Sequence, residues 1–418
     1  MSSAPGASSP DVLVLGGGIV GLSIAWRARA RGLSVTLLER DRSARATSWV
    51  AAGMLAPVAE TEFGSAGRRL LDLGLRSAAL WPGFAAELEE ATGVEVGLLR
   101  TGTLIVARDG DEARELERQL AFRQSLGLRA ERLLPGAARA RESALAPTVR
   151  LALEAPDDHS VDPRLVTAAL RSACESAGVF VREKAAAEAF ELAGTRARAR
   201  GAPEDAEGSE SGGRAPVERV VGVRLRGGEL LRAGRVVLAA GPWSGQIGGL
   251  PAHARVPVRP VKGQILRLRD PAGPGLLTRV VRFAGGYLVP RGDGRYVLGA
   301  SVEEQGFDTE PTAGGVYGLL RDATELVPGV EELRIEELSV GLRPGTPDNT
   351  PFIGAGPLPG LVLATGHYRN GILLAPLTAE LIAAELAGQP ARVGADRGRL
   401  RAGVAGVVGE TGVRAVSA

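Results

Sequence analysis

Two short, uninterrupted apolar runs lie near the start of the chain, on either side of a helix-like segment. Residues 11–15 and 35–38 are rich in valine and leucine, and the segment between them begins in a cluster of glycines. Continuous apolar runs are typical of parallel strands that are covered on both faces. We therefore predict strand, glycine turn, helix and strand, which is the start of an α/β fold.

The middle of the chain mixes helical and strand-like patterns. Apolar spacing predicts helices at residues 76–92 and 111–126, and a strand at residues 102–108. Residues 161–181 predict a helix followed by a strand, because Pro163 stands near the start and Gly178 at the stop of the helical pattern.

Later strands have a different character. Between residues 256 and 301 short strands follow one another, which predicts a mostly antiparallel sheet. Residues 194–216 are poor in large apolar residues and rich in Gly, Ala, Ser and Glu, so we interpret them as a mobile hairpin insertion. The fold class predicted is α/β, with a Rossmann-like domain and an α+β domain built on the antiparallel sheet.

Composition removes several classes of function. The 418 residues include 50 basic and 48 acidic side chains, so the net charge of +2 gives no support to a nucleic-acid or membrane-surface role. Cys174 is the only cysteine and the three histidines are far apart, so we expect neither a disulfide framework nor a metal site. Residues 1–9 lack the pattern of a signal peptide and are predicted to be a disordered tail. No long uncharged apolar stretch is present, so we expect a soluble cytoplasmic protein.

The first glycine turn carries a recognisable spacing. Residues 16–21 read GGGIVG, which fits G-x-G-x-x-G between a strand and a helix, and Glu39 stands at the end of the next strand. This arrangement predicts a pyrophosphate at the helix N-terminus and a ribose on the Glu39 carboxylate. Glu39 argues against a 2′-phosphate, although Arg40 is beside it. The predicted contacts from this motif are Gly16, Gly18, Ile19, Val20, Gly21 and Glu39.

Such a turn binds NAD and FAD alike, so other parts of the sequence are needed to distinguish between these cofactors. Residues 235–245 (RVVLAAGPWSG) predict a late strand that ends in Gly-Pro-Trp, and residues 361–376 predict a further strand, turn and helix with Arg369 in the turn. A helix start that also carries an arginine favours a large anion or two anions. One N-terminal dinucleotide turn with these later elements is typical of an FAD protein.

Eight segments carry a more specific resemblance. They are VLGGGIVGLSIAW, ATSWVAAGMLAP, HSVDPRLV, VVLAAGPWSG, PVKGQ, YLVPR, VGLRPGTPDNTPFIG and GHYRNGILLAP, and they run in order over nearly the whole chain. The chain resembles the D-amino-acid oxidase/sarcosine oxidase family of flavoproteins, and GLRPGT with HYRNGILLAP is similar to its glycine oxidase branch. The 194–216 insertion lies outside every one of these segments.

This resemblance implies a fold, a cofactor and a reaction. It implies noncovalent FAD and oxidation of glycine, or of small secondary amines or D-amino acids, to the imine or 2-oxo acid. A hydride would pass to flavin N5, and O₂ would be reduced to H₂O₂. The imine of glycine would supply the thiazole of thiamine, and a homo-oligomer is plausible for the family. The implied domains are a discontinuous FAD-binding domain (10–85, 150–255 and 335–390), a substrate domain (86–149 and 256–334) and a C-terminal extension (391–418).

The resemblance also implies residue roles. Arg343 would clamp the substrate carboxylate with help from Tyr287, while Arg369 and Met54 would lie near the flavin and substrate. The turn from Gly366 to Gly371 would present N–H groups to the flavin. Further residues implied for FAD binding are Arg40, Ala46, Thr47, Ala52, Gly53, Met54, Ala187, Gly241, Trp243, Gly366, His367, Tyr368, Arg369, Asn370, Gly371, Ile372 and Leu373.

Several alternatives stay open at this level. The chain could be a dehydrogenase of D-amino acids or N-methyl amino acids with another electron acceptor, or a flavin-bearing subunit of a larger complex. Lys262 is one of two lysines among the 50 basic residues. It could assist O₂ reduction near a flavin, but a structural ion pair is the favoured interpretation.

Overall fold

The computed structural model describes residues 9–195 and 217–391. The strands are β1 (Val12–Leu15), β2 (Val35–Leu38), β3 (Met54–Leu55), β4 (Thr103–Ala107), β5 (Glu131–Leu133), β6 (Leu151–Ala155), β7 (His159–Ser160), β8 (Phe180–Arg182), β9 (Ala187–Thr195), β10 (Val217–Leu225), β11 (Leu230–Arg232), β12 (Arg235–Leu238), β13 (Arg259–Arg269), β14 (Val280–Phe283), β15 (Gly286–Pro290), β16 (Arg295–Gly299), β17 (Arg334–Gly345), β18 (Phe352–Ala355) and β19 (Leu361–Thr365). The α-helices are α1 (Ile19–Arg29), α2 (Thr47–Val50), α3 (Gly64–Thr92), α4 (Gly110–Ser125), α5 (Pro135–Arg141), α6 (Pro163–Ser176), α7 (Ala313–Leu326) and α8 (Ala375–Ala387), with 3₁₀ turns at Gly241–Gln246, Ala252–Ala254 and Pro328–Glu332.

The first sheet has six strands in the order β18-β19-β12-β1-β2-β8. All its neighbours are parallel except β18 and β19. Val12 and Val14 pack into one apolar core with α1, α6 and α8, whereas Leu13 and Leu15 pack into another with β9 and β10. Both faces of β1 are therefore covered, which explains its continuous apolar run and confirms the predicted parallel sheet.

The second sheet has eight strands in the order β17-β13-β16-β15-β14-β4-β6-β5. Its neighbours are antiparallel except β14 and β4, so the expected mostly antiparallel sheet is confirmed. Helix α7 packs on it through Leu319, Ala323 and Leu326. The predicted domain boundaries stay a prediction.

Two predicted elements differ from the structure. Helix α3 begins at Gly64 and not at residue 76, because Gly67, Leu71 and Gly74 continue its buried face towards the N-terminus. After β19 Arg369 lies in a nine-residue turn, as predicted, but the helix begins only at Ala375, so Arg369 is not at a helix start.

Some predictions concern residues outside the described ranges. These include the tail through residue 8, most of the insertion (196–216) and the extension from residue 392. The strands on either side of residues 196–216, β9 and β10, pair antiparallel, with Thr195 opposite Val217.

Candidate active site

A cavity of about 360 Å³ lies between the six-stranded and eight-stranded sheets. Its walls come from the turn after β1, the end of β2, residues 44–54, the end of β12 and the turn after β19 on one side. On the other side they come from β13, β15 and β17. The cavity therefore joins the predicted dinucleotide turn to the segments predicted to hold a substrate.

The turn at one end of the cavity requires glycine, because neighbouring backbone atoms approach it closely. Gly16 has φ of +111°, and a Cβ there would overlap the carbonyl oxygen of Ala239, the residue that follows β12. A Cβ at Gly21 would overlap the carbonyl oxygen of Gly16 itself. These two positions accept only glycine, and the turn they allow exposes the first residues of α1 to the cavity.

Glu39 stands where β2 reaches the cavity. Its carboxylate accepts hydrogen bonds from the N–H groups of Gly17 (2.8 Å) and Asp41 (3.0 Å). Each carboxylate oxygen can accept a further bond, so Glu39 retains capacity for a ribose hydroxyl. Arg40 lines the cavity as well, with its guanidinium over the Trp243 ring, 4.3 Å from the centroid, and paired with Asp41 at 2.8 Å.

The opposite end of the cavity is cationic. Arg343 donates from Nη1 to the carbonyl oxygens of Lys262 (3.1 Å) and Ser301 (3.0 Å), and its guanidinium lies flat on Gly263. Gly263 leaves the space, since a Cβ there would lie 2.5 Å from both terminal nitrogens of Arg343. Sequence reasoning found Arg343 but not the glycine that makes room for it.

Tyr287, on β15, lies beside Arg343, which is on β17. Burial raises the pKa of its phenol, although the neighbouring Arg343 acts in the opposite direction. The phenol is therefore protonated at neutral pH and can donate a hydrogen bond. Its ring occupies the space that a Cβ at Gly299 would need.

Arg369 lines the same cavity, together with Glu60 and Arg282, which the sequence gave no reason to select. Its guanidinium lies 5.3 Å from the centroid of the Tyr368 ring. Burial acts to lower the pKa of Arg369, but Tyr368 and Glu60 raise it above the ordinary value. Glu60 is close to Arg282 as well, with 3.9 Å between Oε1 and Nε. No motif surrounds Glu60 or Arg282, so only the fold brings them to this site.

His367 has a structural role and is uncharged at neutral pH. Its imidazole is buried, with Nε2 3.1 Å from Thr378 Oγ1 on α8. Burial lowers the pKa of His367 to about 4, so the ring is neutral at pH 7.

The structure brings most of the predicted site residues to the cavity and leaves a few outside its wall. Those that line it are Gly16, Gly18, Ile19, Val20, Glu39, Arg40, Ala46, Thr47, Ala52, Gly53, Met54, Ala187, Gly241, Trp243, Tyr287, Arg343, His367, Tyr368, Arg369, Gly371 and Ile372. Gly21, Gly366, Asn370 and Leu373 do not line it. Asn370 and Leu373 border an adjoining cavity of about 30 Å³, which shares Glu60 and Arg369 with the main one.

Lys262 does not reach the cavity. Its side chain is fully buried on the other side of β13 and forms an ion pair with Asp308. Cys174 is also buried, with Sγ 3.3 Å from the carbonyl oxygen of Leu22, and burial raises its pKa to about 12.

Residues 9–195 and 217–391 contain neither a metal-ligand cluster nor a membrane-spanning helix. No group of three or more His, Cys, Asp or Glu side chains in these ranges is placed to hold a metal ion. None of the helices there is both long and apolar enough to cross a membrane.

Comparison with known proteins identifies the family. The profile of the family described as "DAO: FAD dependent oxidoreductase" matches residues 11–385. The chain belongs to this family. The predictions of an FAD-dependent oxidoreductase and of its fold class are thereby confirmed.

Individual relatives agree with that assignment. The bifunctional protein ThiO/ThiG of a Synechocystis species is 38% identical over 90% of this chain, and the glycine oxidase of Geobacillus kaustophilus is 35% identical over 89% of this chain and 92% of its own length. The crystal structure of glycine oxidase from Geobacillus kaustophilus superposes with a TM-score of 0.80 and 32% identity, covering 93% of this chain and 97% of that one. The chain spans about half the length of the ThiO/ThiG relatives it matches.

The residues present fit FAD. Gly16 and Gly21 permit the close turn at the start of α1, and Glu39 offers a carboxylate of the type that binds a ribose. The cavity continues from there past Met54 to Tyr287 and Arg343.

Proposed function

We propose that this chain is an FAD-dependent oxidase of glycine, or of small secondary amines and D-amino acids, which produces the imine or 2-oxo acid and H₂O₂. The observation that carries this proposal is that one cavity joins the glycine turn and Glu39 to Arg343 and Tyr287. A dinucleotide site and a fork-shaped cation for a carboxylate thus lie in a single space.

Each of the chain's own residues has a limited task in this proposal. The guanidinium of Arg343 binds the substrate carboxylate and fixes its orientation, and the neutral phenol of Tyr287 donates a further hydrogen bond. When bound, FAD supplies the chemistry, accepting a hydride from the substrate α-carbon and passing two electrons to O₂. The substrate amine enters this reaction neutral, and alignment by Arg343 is the chain's main contribution.

Arg369 and the turn from Gly366 to Gly371 have a supporting role in the proposal. Arg369 adds positive charge where the cavity meets the turn after β19, and this favours negative charge that develops on the cofactor. Met54 lies on the cavity wall and shapes the space beside the substrate.

The partners and location follow as part of the same proposal. Relatives whose names combine ThiO with ThiG support delivery of the imine to the machinery that makes the thiazole of thiamine. A homo-oligomer, noncovalent FAD and a cytoplasmic location belong to this proposal and are measurable on the purified protein and in cells.

The decisive experiment is reduction of the bound flavin without oxygen. The purified protein, reconstituted with FAD, should lose its visible flavin absorbance when glycine is added and form H₂O₂ when air returns. Bleaching by sarcosine or D-alanine but not by glycine would change the substrate. Failure to bind FAD would overturn the proposal entirely.

A further inference from the structure

Strand β13 separates the cavity from a buried polar cluster on its other face. Gly263 and Ile265 line the cavity, whereas the alternate residues Lys262 and Gln264 point away from it and have no exposed surface. A fully buried ammonium is costly unless it is paired and hydrogen-bonded, so its partners show what it does.

All the partners of the Lys262 ammonium come from residues 303–310. They are the Asp308 carboxylate, the Glu310 carbonyl oxygen at 2.6 Å and the Glu303 carboxylate at 3.8 Å. The Asp308 carboxylate and the Glu310 carbonyl oxygen accept hydrogen bonds from the ammonium, and the Glu303 carboxylate adds a more distant ion pair. The side chain therefore fastens the connection after β16 to the back of β13.

Gln264 fastens both ends of the same connection. Its Nε2 donates to Glu303 Oε1 at 2.8 Å, and its Oε1 accepts from the Thr312 N–H at 2.9 Å. We refer to residues 302–312 as the latch segment. Lys262 and Gln264 hold its start, middle and end.

The start of the latch segment lies next to Ser301 and Lys262, whose carbonyl oxygens accept hydrogen bonds from Arg343. Lys262 and Glu303 exchange two backbone hydrogen bonds, of 2.9 and 3.0 Å. The Lys262 carbonyl oxygen and its neighbour in space, the Ser301 carbonyl oxygen, are the two acceptors of Arg343 Nη1. The latch segment also places Phe307 against Trp243 on the cavity wall, with ring centroids 6.2 Å apart.

We propose that Lys262 is a positioning residue for Arg343. By tying Asp308, Glu310 and Glu303 to the back of β13, its ammonium keeps the carbonyl oxygens of Lys262 and Ser301 where they orient the guanidinium inside the cavity. This inference rests on the proposed function, since it takes Arg343 as the group that binds a carboxylate. It assigns Lys262 no contact with substrate or cofactor.

The test uses the FAD-loaded full-length protein and acetate as the carboxylate probe. Acetate binding is followed by the change that it causes in the flavin absorption spectrum, and exchange of the amides of residues 302–312 is followed by mass spectrometry. For Lys262→Met we expect acetate to bind about tenfold more weakly, which corresponds to loss of roughly one well-oriented hydrogen bond. Amide exchange in the latch segment should rise in parallel.

Two further variants make the result specific. Asp308 is partly exposed, so Asp308→Asn should fold normally and weaken acetate binding about threefold, and it decides the question if Lys262→Met does not fold. Glu142 is an equally buried charge that binds the N–H groups of Thr278 and Arg279, away from the cavity. Glu142→Gln should lower the unfolding temperature without changing acetate binding.

The outcomes separate this inference from the proposed function. Unchanged acetate affinity in folded Lys262→Met or Asp308→Asn would overturn the positioning role while leaving the oxidase proposal intact. A wild-type protein that binds FAD but neither acetate nor glycine would overturn the role of Arg343, and with it both proposals. Equal weakening by Glu142→Gln would show a general loss of stability and would overturn the specific role of Lys262.

Discussion

Adding a single methyl group at Gly263 tests whether the position of Arg343 controls substrate binding. In the structure a Cβ at this residue would lie 2.5 Å from Nη1 and from Nη2 of Arg343. Non-bonded heavy atoms in proteins settle at about 3.5–4 Å. In Gly263→Ala the guanidinium must therefore move by about 1 Å, since the strand backbone beneath it is fixed by pairing with Gly341 on one side and by the Lys262–Glu303 bridge on the other.

The cost of that displacement follows from the contacts of Arg343. Its hydrogen bonds to Ser301 (3.0 Å) and Lys262 (3.1 Å) are near the usual length, so a shift of this size breaks one or both. A misplacement of about 1 Å in a group that orients a substrate can reduce the rate about 100-fold. We expect kcat/KM for glycine to fall by about that factor. FAD should still bind, because Gly16 and Glu39 are unaffected.

The assay measures flavin reduction by glycine without oxygen, across a range of concentrations, with FAD content and unfolding temperature measured on the same sample. Gly318→Ala is the matched control, since a Cβ at Gly318 in α7 meets no atom within 4 Å. It should leave kcat/KM unchanged and stabilise the helix by about 0.5–1 kcal/mol. Gly263→Ala that retains FAD and stays within threefold of wild-type kcat/KM would refute the reasoning.

Three further predictions concern charge and protonation. Arg343→Met should lower kcat/KM for glycine about 100-fold, because charge-assisted hydrogen bonds of about 1.5–3 kcal/mol are lost, and anaerobic reduction measures this. Tyr287→Phe should raise KM about tenfold through loss of one hydrogen bond, and because burial raises the Tyr287 pKa, it should remove no ionisation step near neutral pH from the pH–rate profile. The His367 pKa is lowered from 6.5 to about 4 by burial, so between these values the unfolded chain binds a proton that the folded protein does not. Stability should therefore fall by about 2 kcal/mol from this group between pH 7 and pH 4.5, and His367→Gln should remove that part of the loss in urea unfolding.

The sequence predicted the local structure around the first glycine turn well, for a local reason. The glycine turn, α1 and Glu39 lie within one strand-helix-strand unit, and their spacing alone sets their geometry. The parallel sheet was predicted because continuous apolar runs are typical of strands covered on both faces, and the antiparallel sheet because short strands follow one another along the chain. The predicted start of α3 was wrong. Glycines in the first turns weaken the helical pattern in the sequence, whereas tertiary contacts stabilise the helix there.

The cationic end could be predicted only in part, because its geometry depends on contacts between distant segments. Arg343 was selected through a resemblance, but nothing in the sequence shows that Gly263, some eighty residues earlier, makes room for its guanidinium. Lys262 drew attention by its rarity, and the strand period then places it on the face opposite to Gly263. Whether that face meets the cavity or the latch segment depends on which distant segment packs over it. The contacts of Lys262 with Asp308 and Glu310 place the latch segment there, and they distinguish a lysine in the cavity from one that, as we propose, acts through Arg343.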